Sequence, residues 1–164
     1  MNLEPKSTFS DREFDEVTTH KPNDTESYYD RGIAYYEKRE YDKAIADFSQ
    51  VIKREPDHAD AYYSRGNVYR DETDFDQAIA DYTKAIELKP DYVEASYNRG
   101  KLYDEINAYN KAIGDFSTMI KHEPEHADAY NYRATLYSHK GEYDRARELF
   151  RSLSGKSKSR GGRF

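Results

Sequence analysis

The sequence predicts an all-α fold, a solenoid of stacked antiparallel helix hairpins, on three observations. Residue identities recur every 34 positions. Inside each 34-residue unit the apolar residues fall at helical spacing. Each unit but the last closes on a proline. Arg31, Arg65, Arg99 and Arg133 keep the period, as do Tyr35, Tyr69, Tyr103 and Tyr137. Ala44, Ala78, Ala112 and Ala146 keep it too, with Phe48, Tyr82, Phe116 and Phe150 four residues further on. A fixed period of this length is the signature of a repeat architecture, in which no unit buries its apolar face alone.

The elements follow in order. Residues 1–9 are expected to be a flexible N-terminus. Residues 10–24 read as a half-repeat cap: Ser10 is a candidate N-cap, Phe14 takes the place of Phe48 and Val17 that of Val51. Asp11 and Thr18 stand where Ile45 and Ile52 stand later, which suits a cap facing water. Three whole repeats follow at 25–58, 59–92 and 93–126. In the second of them Tyr62, Arg65, Gly66 and Tyr69 mark one face of a first helix. After a polar turn, Phe75, Ala78, Ile79, Tyr82, Ala85 and Ile86 mark a second helix, which Pro90 stops. Gly66 and Ala78 are small where two antiparallel helices would cross. A fourth repeat, 127–154, is truncated and lacks the closing proline, and 155–164 reads as a basic, disordered tail.

Composition limits the core and the chemistry. Leu, Ile, Val and Phe make up 25 of 164 residues, under the roughly 20% below which disorder is suspected. The 17 tyrosines compensate, each with a large apolar body and a polar tip. With no cysteine there is no disulfide framework, thiol nucleophile or thiolate metal site. No apolar run approaches a membrane span, and the first residues lack signal-peptide character, so a cytoplasmic protein is expected. A net charge of -6 argues against nucleic acid as the main partner. No cofactor is expected.

The period and the Gly, Tyr, Ala, aromatic and Pro positions resemble the tetratricopeptide repeat (TPR) family. That resemblance implies a right-handed superhelix segment whose first helices line a concave groove. It also sets a puzzle, because the family usually has a leucine-like residue where the four arginines stand. A buried unpaired guanidinium is costly, so an acid of the same period is expected, and Asp47, Asp81 and Asp115 supply it. Pairing within a repeat would leave Arg133 facing Leu149. Pairing across repeats leaves no arginine orphaned. It predicts a ladder of Glu13–Arg31, Asp47–Arg65, Asp81–Arg99 and Asp115–Arg133, fixing the stacking register rather than binding a substrate.

The groove implied by the resemblance would carry Tyr29, Tyr63, Asn67, Tyr97, Asn98, Lys101 and Tyr132, among acids such as Asp30, Asp60, Glu94 and Asp128. An acidic, tyrosine-lined surface suits a basic protein or peptide; the plainer alternative is that the tyrosines only pack on neighbouring first helices. One subgroup of the family clamps the acidic C-terminus of heat-shock chaperones with cationic groove residues. Asn67 and Asn98 match its asparagines, but its cationic positions read Tyr63, Asp128 and Tyr132, so that function is not expected. Catalysis is not expected either. His122 and His126 are four apart in "HEPEH", but Pro124 between them denies the helical facing a metal site needs. The reading is therefore a non-catalytic scaffold or adaptor. The alternative is a self-assembling module, a homodimer through the C-terminal repeat face around Phe150 and Leu153.

Overall fold

The computed structural model describes residues 10–19 and 24–160, and among them every regular element is a helix. In chain order these are α1 (Asp11–Thr19), α2 (Thr25–Glu37), α3 (Tyr41–Arg54), α4 (Ala59–Asp71), α5 (Phe75–Leu88), α6 (Val93–Glu105), α7 (Tyr109–His122), α8 (Ala127–His139) and α9 (Tyr143–Arg160). They group into two compact units, Met1–Pro90 and Asp91–Phe164.

In the first unit α2 pairs with α3 and α4 with α5, α3 packs on α4, and α1 lies against α2. Phe48, Val51, Val68 and Tyr82 are fully buried there. In the second unit α6 pairs with α7 and α8 with α9, and α7 packs on α8. Its interior holds Leu102, Phe116, Met119 and Leu136. The hairpin turns repeat as faithfully as the helices. Arg39, Thr73, Asn107 and Gly141, spaced 34 apart, all take positive φ, between 59° and 76°. A left-handed residue at that position closes each turn, and only the last uses glycine, which adopts it without strain.

Capping chemistry sets where helices begin. Ser27 N–H donates to Asp24 Oδ1 at 2.8 Å at the start of α2, and Gln77 N–H to Asp74 Oδ1 at 3.3 Å at the start of α5. At α4 and α8 the acceptor is histidine: Ala61 N–H donates to His58 Nδ1 at 3.2 Å, and Ala129 N–H to His126 Nδ1 at 3.3 Å. His126 is thus a cap while His122 ends α7, on either side of the turn that holds Pro124. Ser10 and Glu13 form a capping box, with Ser10 N–H donating to Glu13 Oε2 at 2.8 Å.

One boundary differs from expectation. α9 continues to Arg160, through the first part of the expected disordered tail. The earlier second helices all stop before a proline, at Pro56, Pro90 and Pro124; no proline interrupts α9, and Gly155 within it is a weaker helix breaker than proline. The expected N-terminal segment 1–9 and the last four tail residues lie outside the described residues.

Candidate functional site

The repeated arginines sit where each hairpin's two helices cross. Arg31 donates from Nε and Nη2 to both oxygens of Asp47 at 2.7 Å. Arg65 does the same to Asp81 at 2.7 and 2.8 Å, and Arg99 to Asp115 at 2.9 and 2.6 Å. These fork-to-fork pairs hold the three aspartates at 4–5% exposure. Tyrosine rings flank the guanidinium, with Tyr28 and Tyr35 each 5.7 Å from Arg31, and Tyr62 and Tyr69 5.9 and 5.8 Å from Arg65.

The pairing is therefore within repeats, and the expected inter-repeat ladder is corrected. The reason lies one residue further along. Gly32, Gly66 and Gly100 receive the rings of Phe48, Tyr82 and Phe116; a Cβ at these glycines would come within 2.7, 2.9 and 3.1 Å of them. The aspartate precedes the aromatic and the arginine precedes the glycine, so one crossing brings both pairs together. Glu13 does not serve Arg31; its carboxylate is taken by Ser10. Among the described residues Arg133 has no carboxylate partner. Its Nε is buried without a hydrogen-bond acceptor, and its Nη1 donates to Ser117 Oγ at 3.2 Å.

A cross-repeat contact does exist, but serines make it. Arg65 Nη1 donates to Ser49 Oγ at 3.0 Å, as Arg133 does to Ser117. The hydroxyls at 49, 83 and 117 keep the 34-residue period, and that was the signal available in the sequence.

The groove candidates divide between the two units. In the first, Tyr29 and Ser64 share a hydrogen bond at 3.1 Å between α2 and α4, and the Tyr29 ring lies stacked on His58 at 5.2 Å. Tyr63 is half-buried, its ring 5.9 Å from that of Tyr82. Asn67 accepts from Tyr82 Oη at 2.8 Å. In the second, Tyr97 and Tyr132 share a hydrogen bond at 2.9 Å between α6 and α8, and Tyr132 stacks on Phe116 with centroids 5.0 Å apart. Lys101 is exposed, with Nζ 5.6 Å from the centre of the Tyr97 ring, and Asn98 is half-buried on α6. So Tyr29 packs between α2 and α4 and Tyr97 between α6 and α8, Tyr63 packs on α5, and the same first helices carry exposed acids. Glu26, Asp30 and Asp60 are exposed in the first unit, Glu94 and Asp128 in the second.

The hydroxyls register that charge. Burial raises the Tyr29 pKa above its usual value, the Ser64 hydrogen bond opposes it, and Asp60 and Asp30 add to the rise. Tyr97 is pushed up to about 12, by burial first, then by its hydrogen bond and coulombic interaction with Tyr132 and by the charge of Asp128. One network went unread in the sequence. Tyr36 Oη donates to Asp71 Oδ2 at 2.8 Å, and Arg70 Nη2 reaches Asp71 Oδ1 at 2.8 Å, so a cation stands at the C-terminal ends of α2 and α4.

Family models described as TPR repeat match residues 32–71 and 66–107, and one described as tetratricopeptide repeat matches 97–159. Among solved structures, a MamA crystal structure superposes with a TM-score of 0.80 at 26% identity, covering 93% of this chain and 89% of that one. A MamA structure from Desulfovibrio magneticus RS-1 gives 0.75 at 25% identity, over 90% and 84% of the two chains. The Arabidopsis OM64 TPR domain gives 0.64 at 27%, over 70% of this chain and 95% of that one. No curated protein matches by sequence. Among the described residues no helix is long and apolar enough to cross a membrane.

Proposed function

The chain belongs to the tetratricopeptide repeat family, and from that premise we propose that it is a non-catalytic scaffold holding a basic protein or peptide segment on the acidic, tyrosine-bearing faces of its first helices. Membership supports a protein-interaction role in general. The basic partner is argued from one observation: the first helices that carry Tyr29, Tyr63, Tyr97 and Tyr132 also expose the acids Glu26, Asp30, Asp60, Glu94 and Asp128. A lysine or arginine set beside such a tyrosine meets a ring face and an acid together. Lys101 over Tyr97 is an internal example of the ring contact. A chaperone's carboxylate terminus is not the proposed partner, because it would meet Tyr63, Asp128 and Tyr132 where cations are needed.

The test is a proteome pull-down with the intact chain and with a Tyr63→Ala, Tyr97→Ala variant shown by circular dichroism to be equally folded. Partners captured by the wild type alone, carrying basic segments, support the reading. Identical capture by both removes its main support.

A second reading is self-assembly through the C-terminal repeat. It rests on α9, where Tyr143 is 64% and Phe150 46% exposed. A mass that rises with concentration, and falls back in Phe150→Ser, favours it.

A further inference from the structure

The fourth hairpin lacks both devices that close the other three. Leu149 stands where the register puts Asp47, Asp81 and Asp115, and Ala134 where it puts Gly32, Gly66 and Gly100. The consequences are separate and both visible. Arg133 keeps a buried Nε with no acceptor, and the hydrogen bond of its Nη1 runs to Ser117 on α7 instead of to α9. Phe150 is 46% exposed, whereas Phe48, Tyr82 and Phe116 are all 0% exposed. The methyl of Ala134 occupies the space the glycines leave open, where a Cβ would stand 2.7–3.1 Å from the incoming ring.

From this we infer that α9 is a latch. It opens from α8 as a unit, well below the free energy of global unfolding, while α8 stays anchored to α7 through Arg133 and Ser117. Local opening of this kind follows the loss of buried contacts, and a buried donor left without an acceptor weakens the α8–α9 crossing further. Opening uncovers on α8 a guanidinium beside the Tyr130 ring, 5.8 Å from its centre. In the other hairpins the equivalent guanidinium holds an aspartate, so what opening uncovers is a receptor for a carboxylate, without the space for the aromatic that follows it.

The experiment is hydrogen exchange followed by mass spectrometry on the intact chain, for wild type, Leu149→Asp and Leu149→Asn. The wild-type amides of α9 are expected to exchange at least about tenfold faster than those of α7. Leu149→Asp supplies the missing acid and is expected to slow α9 by about tenfold relative to Leu149→Asn, leaving α3 and α5 unchanged. Equal exchange of α9 and α7 in the wild type overturns the latch. Equal rates in the Asp and Asn variants overturn it too, leaving an ordinary chain-end effect. Global unfolding of Leu149→Asp also overturns it, since a matched acid should stabilise that crossing.

Discussion

Arg65 grips both carboxylate oxygens of Asp81 across the crossing of α4 and α5, at 2.7 and 2.8 Å, one residue from where Gly66 receives the Tyr82 ring. Charge and close packing share that crossing, and the same arrangement recurs at Arg31–Asp47 and Arg99–Asp115. Arginine is tolerated in a position facing the packed layer because its partner arrives with the fold.

Removing one partner should be far worse than removing both. Asp81→Ala is expected to lose about 3 kcal/mol, the scale for leaving a buried charge uncompensated. In chemical denaturation, Arg65→Ala with Asp81→Ala should lose clearly less than the sum of the two singles. The pair Arg65 and Asp47 should instead be additive to within about 0.5 kcal/mol.

Glycine at the crossing is a steric requirement, and glycine elsewhere is not. Gly66→Ala should destabilise by about 1–3 kcal/mol, since its Cβ would lie 2.9 Å from the buried Tyr82 ring. Gly114→Ala has nothing within 4 Å of the new Cβ. It should stabilise α7 by up to about 1 kcal/mol through helix propensity. Thermal melts of the two variants should move in opposite directions.

The α2 cap gives a pH signature. Hydrogen bonds from Ser27 hold the Asp24 carboxyl below its ordinary value of 3.8. A depressed pKa means the cap's contribution is fully present above 3.8 and is lost as pH falls through the folded value. The stability gap between wild type and Asp24→Ala should therefore be constant from neutral pH down toward 4 and close below that. Asp115 has the opposite sign. Burial raises its pKa, and the hydrogen bonds and charge of Arg99 oppose that rise.

Binding should be electrostatic in rate and salt dependence. Asp30→Asn with Asp60→Asn should weaken a lysine- and arginine-rich peptide mainly through slower association, and added salt should narrow the gap to wild type. Stopped-flow association at two salt concentrations reads both effects.

The hairpins were legible because a 34-residue period and helical spacing both survive in single residues such as Gly66, Ala78 and Pro90. The identity of the acid was legible too, since Asp47, Asp81 and Asp115 keep step with the arginines. Its partner was not. The cross-repeat scheme follows from the premise that no arginine goes unmatched, yet among the described residues Arg133 does go without a carboxylate. Geometry fixed the choice: the glycine–aromatic contact sets the crossing, and the neighbouring residues must face each other. The extent of α9 was not legible because Gly155 and the Ser and Lys residues around it resemble a tail, whereas no proline interrupts the helix. Tyr29 and Tyr97 were placed on the first helices correctly, but their hydrogen bonds to Ser64 and Tyr132 depend on inter-helix distances no spacing rule supplies.

The most direct measurement is an NMR titration of the isotope-labelled chain with a lysine- and arginine-rich peptide and, separately, with an acidic one. The scaffold account predicts saturable shifts with the basic peptide only, concentrated on α2, α4, α6 and α8 around Tyr29, Tyr63, Tyr97 and Tyr132. Shifts with the acidic peptide instead, or shifts centred on α3, α5 and α7, would contradict it.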